Sequence, residues 1–171
     1  VRIESALSAI IDLEDSVACV DGEDKVNAYS TWLGLMKGDL TSEFEKNGKK
    51  VVRCLNSDLS FISPSGDDFS IRARALLWIR NVGHLMTTPA VLDSNGDEIF
   101  EGLLDAMVTT MLGMHDLKKA DGNSRHGSIY IVKPKMHGPA EVDFADKIFS
   151  KVESSLGLSL IHISEPTRHC T

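Results

Sequence analysis

The chain has 171 residues, 42% hydrophobic and 25% charged, which is ordinary usage for about one soluble globular domain. Eighteen basic residues against 25 acidic ones leave −7, with no Lys/Arg-rich run, so the chain is poorly suited to binding nucleic acid through phosphates. No apolar stretch reaches the roughly 18 residues that a membrane span needs.

Apolar Ala6-Leu7-Ser8-Ala9-Ile10-Ile11 closes in Asp12-Leu13-Glu14-Asp15-Ser16, the pattern of a buried strand delivering polar side chains to a loop. From 23 to 36, Val26, Tyr29, Trp32-Leu33 and Met36 recur every three or four residues. This is an amphipathic helix, and Lys37-Gly38 stops it. Between 39 and about 68, Asn47-Gly48, Asn56-Ser57 and Ser63-Pro64-Ser65-Gly66 punctuate short β-prone pieces. That texture predicts a small antiparallel hairpin or sheet, inserted between units of another kind. A second buried strand, 75–79, runs into Arg80-Asn81-Val82-Gly83-His84. Past a turn at 93–97, residues 99–118 carry helical spacing, and Met107, Met111 and Met114 read as core filler. A third strand, 128–132, leads into Lys133-Pro134-Lys135-Met136-His137-Gly138, and 141–156 is again helical. The order predicts an α/β fold with a parallel sheet and right-handed crossovers. Open doubly wound sheets and closed barrels share this pattern, and three units leave both open.

Each strand ends in an unusual polar cluster: Asp12/Glu14/Asp15/Ser16, Arg80/Asn81/His84 and Lys133/Lys135/His137. Barrels and open α/β sheets place their chemistry at these carboxyl ends, so the distribution points to an enzyme. Asp12 and Glu14, two apart on extended backbone, face one side. They can bind a metal, orient an arginine or hold water; equally, Asp15 or Ser16 caps the next segment and the acids pair with neighbouring bases. Arg80 offers a carboxylate a planar fork of donors and stays charged at any working pH, with a salt bridge to Glu14 as its structural alternative. Lys133 and Lys135 share a face across Pro134, which suits an anionic substrate or an acid-lined interior. His84 and His137 read as structural. Neither glycine-rich phosphate motif is present. Cys19, Cys54 and Cys170 are too few and scattered for a disulfide framework or a zinc site, which makes a reducing cytoplasm the default.

Several long strings stand at or beside these clusters. They are Asp12-Leu13-Glu14-Asp15-Ser16-Val17-Ala18, Glu23-Asp24-Lys25-Val26 and Trp32-Leu33-Gly34-Leu35-Met36-Lys37-Gly38-Asp39-Leu40. Ile79-Arg80-Asn81-Val82-Gly83-His84-Leu85-Met86-Thr87 and Tyr130-Ile131-Val132-Lys133-Pro134-Lys135-Met136-His137-Gly138-Pro139 follow. In these strings, over about residues 1–157, the sequence resembles the malate synthase G family. The resemblance implies a partial TIM (β/α)8 barrel with an inserted, β-rich α/β segment. Residues 1–38 would be one barrel βα unit, 39–74 part of the insertion and 75–157 further barrel units. With no initiating Met, the chain would be a central piece of a longer, monomeric, cytoplasmic enzyme without nucleic-acid or membrane partners. That enzyme condenses acetyl-CoA with glyoxylate and hydrolyses the product to (S)-malate and CoA, using Mg2+, in the glyoxylate cycle.

By the same resemblance Arg80 is the catalytic, glyoxylate-binding arginine, and Ser16 and Arg53 contact acetyl-CoA. An exposed strand arginine is the alternative for Arg53. Asp12, Glu14, Lys133 and Lys135 would support the site. Because arginine is a very weak base, Arg80 reads physically as a stabiliser of developing negative charge. The family's magnesium carboxylates and catalytic aspartate lie further on, so the chain alone is expected to hold no metal site and to be inactive. Unpaired strand edges and an uncovered barrel face also predict poor solubility alone. Residues 158–171 resemble translated sequencing-adapter readthrough, so Glu165, His169 and Cys170 are excluded from the site. Two other readings stay open: a related CoA-ester lyase, and a non-catalytic binding or assembly domain.

Overall fold

A computed structural model describes residues 6–16 and 19–158; the expected foreign tail, apart from residue 158, lies outside the described residues. In chain order the elements are β1 (Ser8–Asp12), α1 (Gly22–Lys37), β2 (Ser42–Lys46), β3 (Lys49–Arg53), β4 (Leu59–Ile62) and β5 (Asp68–Ile71). Then come β6 (Leu76–Arg80), β7 (Thr87–Leu92), β8 (Glu98–Phe100), α2 (Glu101–Gly113), β9 (Ile131–Val132) and α3 (Pro139–Leu156).

Local chemistry sets these boundaries. Asp21 caps α1 by accepting the Asp24 amide at 2.9 Å, and Gly38 ends the helix at φ +75°, a conformation glycine adopts without steric penalty. Asn47 and Gly48 both take positive φ, which gives the two-residue turn that pairs β2 with β3. β4 and β5 form a second hairpin, so the predicted antiparallel region consists of two separate ribbons. A third hairpin, β7–β8, was not expected from the sequence. Its turn is closed by Asp93, whose Oδ1 accepts the amides of Asn95 at 2.8 Å and Asp97 at 3.0 Å. α2 stops at Gly113 instead of reaching residue 118, and the third strand shortens to two paired residues.

β1, β6 and β9 make one parallel sheet with β6 in the centre. Its register sets Ile10 beside Trp78, and Asp12 beside Arg80 beside Val132. Neighbours in register point to the same face, and successive residues alternate. The odd-numbered set faces the helices, where Leu13, Trp32, Met36, Ile79 and Val82 form the core with Ile11, Leu77, Leu112 and Ile131 against it. Trp32 is fully buried and its indole N–H donates to the Thr109 carbonyl at 3.0 Å, which ties α1 to α2. The opposite face is open: Ile10 is 56% exposed, and Trp78, stacked on Tyr130, is 36% exposed. Three parallel strands with helices on one face and an uncovered inner face make a partial barrel.

Candidate active site

The site begins where β1 ends. Asp12 terminates the strand by folding the chain around its own carboxylate. Its Oδ1 accepts the amides of Glu14 at 2.9 Å and Asp15 at 3.2 Å, and its Oδ2 accepts the Ser16 hydroxyl at 3.0 Å. The expectation that Asp12 and Glu14 follow one extended backbone is therefore corrected, because residues 13–16 form a turn. Arg80 stands opposite, at the last residue of β6, with Nε 3.0 Å from Asp12 Oδ1 and Nη2 on Asp15 Oδ2. Burial pushes the Asp12 carboxyl upward. The amide and hydroxyl donors, together with Arg80, outweigh that and hold it below its ordinary range.

Glu14 leaves this turn in another direction. Its Oε2 accepts the Gly83 amide at 2.6 Å, and its Oε1 lies 2.6 Å from Lys135 Nζ, with the side chain only 4% exposed. A salt bridge between Glu14 and Arg80 is thus not formed; Asp12 and Asp15 take the arginine instead. Lys135 also reaches Asp15 Oδ1 at 3.1 Å, and both acids raise the ammonium pKa. Asp15 is held below its usual range, chiefly by Lys135 and then by Arg80. The geometry therefore brings the acidic turn, Arg80 and Lys135 to one mouth.

Lys133 and Lys135 do not share a face. The register continues Arg80–Val132 to Asn81–Lys133, which is the helix side, and there Lys133 Nζ donates to the Val82 carbonyl at 2.5 Å. Burial lowers its pKa against the opposing pull of Asp105 and Glu14. Lys135 has φ +54°, an unusual conformation for a residue with a Cβ. Ser16 is exposed beside Asp12. Arg53 ends β3, exposed, with its guanidinium 4.8 Å from the Phe44 ring centre of the same ribbon. No hydrogen bond or ion pair among the described residues joins it to Arg80. His84 packs on α3, its Nε2 3.2 Å from the Glu141 carbonyl and its ring beside Phe144, while His137 uses its backbone amide on the Glu141 carboxylate. A cavity of about 290 Å³, lined partly by Cys54, Arg72, Arg74 and Leu77, lies toward the other end of β6.

Sequence reasoning missed a second charged group behind the mouth. Lys25, 1% exposed, lies 2.7 Å from Glu101 Oε1 and 2.8 Å from Asp105 Oδ1. Tyr29 donates to the same Asp105 oxygen at 2.6 Å, and the other Asp105 oxygen accepts the Val82 amide at 2.8 Å. Burial drives the Lys25 pKa down, but the two carboxylates more than offset it and leave the ammonium above its ordinary value. Burial and Asp105 raise the Tyr29 phenol, which keeps it a donor. A signal was available. Glu101, Asp105 and Thr109 form an i, i+4, i+8 polar stripe on an otherwise apolar helix, and Lys25 lies four residues before Tyr29 on the buried stripe of α1.

The carboxylates at the mouth do not fit a magnesium ion. All six oxygens of Asp12, Glu14 and Asp15 are engaged by amides, a hydroxyl, Arg80 or Lys135. Among the described residues no group of three His, Cys, Asp or Glu side chains is arranged to hold a metal. What the arrangement offers chemically is a forked cation on an open inner face, restrained by two acids.

Residues 76–164 match the family model described as malate synthase, TIM barrel domain. The chain is 53% identical over 158 residues to Malate synthase G of Halalkalibacterium halodurans, covering 91% of this chain and 22% of that protein. It is 49% and 48% identical, over the same length, to Malate synthase G of Corynebacterium glutamicum and of Corynebacterium efficiens. In each case it spans about a fifth of the relative's length.

Proposed function

The chain belongs to the malate synthase family, and from that premise we propose that it supplies the glyoxylate-binding mouth of a longer malate synthase. The reaction joins the methyl carbon of acetyl-CoA to the aldehyde carbon of glyoxylate, and hydrolysis of the thioester then releases malate and CoA. The observation that carries this reading is Arg80, at the carboxyl end of the central strand and on the open inner face, forked between Asp12 and Asp15.

Glyoxylate presents one carboxylate and one carbonyl oxygen, and carbon–carbon bond formation turns the carbonyl oxygen into an alkoxide. A guanidinium offers planar donors to the carboxylate and fixed positive charge to the oxygen. With a pKa above about 12 it does not take the methyl proton, so Arg80 is a stabiliser and not the base. Asp12 and Asp15 hold the fork in place, and Lys135 draws Asp15 and Glu14 together beside it. Ser16, at the same turn, is proposed to contact acetyl-CoA, and Arg53 to meet the phosphates of CoA. Magnesium and the base would come from carboxylates outside the described residues. The enzyme is proposed to be a cytoplasmic monomer acting on small molecules.

The test is release of free CoA thiol by the full-length enzyme carrying this segment. Release that requires both acetyl-CoA and glyoxylate supports the proposal. Cleavage of malyl-CoA without thioester hydrolysis assigns a lyase instead.

A further inference from the structure

Arg80 ends β6 two residues before Val82, and three charged side chains hold the peptides on the two sides of Val82 from different directions. Asp105 Oδ2 accepts the Val82 amide at 2.8 Å from the helix layer. Glu14 Oε2 accepts the Gly83 amide at 2.6 Å from the rim. Lys133 Nζ donates to the Val82 carbonyl at 2.5 Å. Asp105 is itself fixed by Lys25 and Tyr29. α2 passes so close that a Cβ at Gly102 would stand 2.7 Å from the Gly83 carbonyl, 2.9 Å from the Val82 carbonyl and 2.5 Å from Lys133 Nζ.

We propose that Asp105, Lys133 and Gly102 form a positioning device for Arg80: they clamp the backbone of Val82 and Gly83 that follows it and so fix where the guanidinium meets glyoxylate. The clamp rests on the malate synthase reading for its purpose, although not for its existence. Two lines of physical argument support it. A loop peptide bound only by water opens at little cost, whereas hydrogen bonds to buried charges are stronger than neutral ones and costly to leave unmade. Lysine and two carboxylates also make an extravagant means of holding a peptide whose position is immaterial. None of these residues reaches the inner face, so they act through Arg80 and not on the substrate.

Two variants of the full-length enzyme carrying this segment test the idea. Asp105→Asn keeps the side-chain volume and removes the charge. Gly102→Ala adds one methyl group against the two carbonyls, at a helical position where alanine is otherwise the better residue. Hydrogen exchange read by mass spectrometry should show the amides of Val82 and Gly83 exchanging about tenfold faster in each variant, with α3 unchanged. kcat/KM for glyoxylate should fall about tenfold while KM for acetyl-CoA stays within about twofold, a split that general loosening does not give. If Asp105→Asn exposes the whole segment to exchange, Gly102→Ala decides. Wild-type protection of both amides in Gly102→Ala overturns the clamp. Faster exchange with unaltered glyoxylate kinetics overturns its link to Arg80. A wild-type enzyme that releases no CoA defeats the synthase reading alone, because the exchange measurement still reports on the clamp.

Discussion

Replacing Arg80 separates two things the site asks of one side chain, namely charge and shape. The Arg80 side chain is 24% exposed, and its guanidinium lies 3.0 Å from Asp12 through Nε and engages Asp15 through Nη2, so it spans two acids at once. An ammonium has no fork and a shorter reach, so Arg80→Lys keeps the charge but offers the glyoxylate carboxylate one donor where the guanidinium offers two. A hydrogen bond between charged groups contributes about 1.5–3 kcal/mol. At 1.4 kcal/mol per decade, that is roughly 10- to 100-fold in kcat/KM for glyoxylate. Arg80→Ala removes the charge as well, and loss of a fixed donor facing an oxyanion costs about 2.7–4 kcal/mol, or 10²- to 10³-fold. The assay is the initial rate of CoA thiol release by the full-length enzyme at saturating acetyl-CoA and varied glyoxylate. Alanine should be worse than lysine, and both should act mainly on the glyoxylate terms. An alanine variant within threefold of wild type would refute the assignment, and a lysine variant equal to wild type would refute the argument from the fork.

Three further outcomes follow from the same contacts. Asp12 has a folded pKa depressed below 3.8, so its stabilisation is present above that pH and is lost as pH falls through the folded value. Asp12→Asn should flatten the acid limb of a thermal-stability profile below about pH 4, and an unchanged limb would contradict the pairing. Lys25→Met leaves Glu101 and Asp105 buried without their cation, which should cost about 3–5 kcal/mol in urea unfolding; under 1 kcal/mol would mean the acids find other partners. Trp32→Phe removes the indole donor that bridges α1 to the Thr109 carbonyl and trims a fully buried ring, and should lower stability by about 0.5–3 kcal/mol, read as a shift in the urea midpoint with the slope unchanged.

What the sequence made legible was whatever depends on local chemistry or period. Asn47-Gly48 announces its turn because only a few residues tolerate two successive positive φ angles, and Gly38 announces the end of α1 for the same reason. The three barrel strands and their order follow from short apolar runs alternating with helical stripes. β7 escaped because Pro89 sits inside it and its first residues are polar, which suits an edge ribbon and breaks the pattern of a core strand. The partners of Glu14 could not be read from a two-residue spacing, since Asp12 turns the chain before Glu14 is reached. Nor does the string Lys133-Pro134-Lys135 disclose that one lysine faces the helices while the other adopts positive φ. Lys25 and Asp105 are legible only from their places on the helical stripes, because composition alone marks charged residues as exposed and burial in an ion pair is the exception.

The register of one sheet accounts for both charged groups. With Asp12, Arg80 and Val132 in line, the even-numbered side chains of β1 and β6 face inward and the next residues, Asn81 and Lys133, face the helices. Arg80 therefore belongs to an open layer with Asp12 and Asp15, whereas Lys133 turns to the helix layer, where Asp105, Glu101 and Lys25 are buried. A slip of one residue in β6 would exchange the layers, placing Asn81 at the mouth and burying Arg80 against α2. The chain is locked against that slip from both sides, because Asp105 and Glu14 take the consecutive Val82 and Gly83 amides that follow the strand. Charge buried in the helix layer thus has a mechanical consequence at the open face: it sets the position of a cation that it never touches.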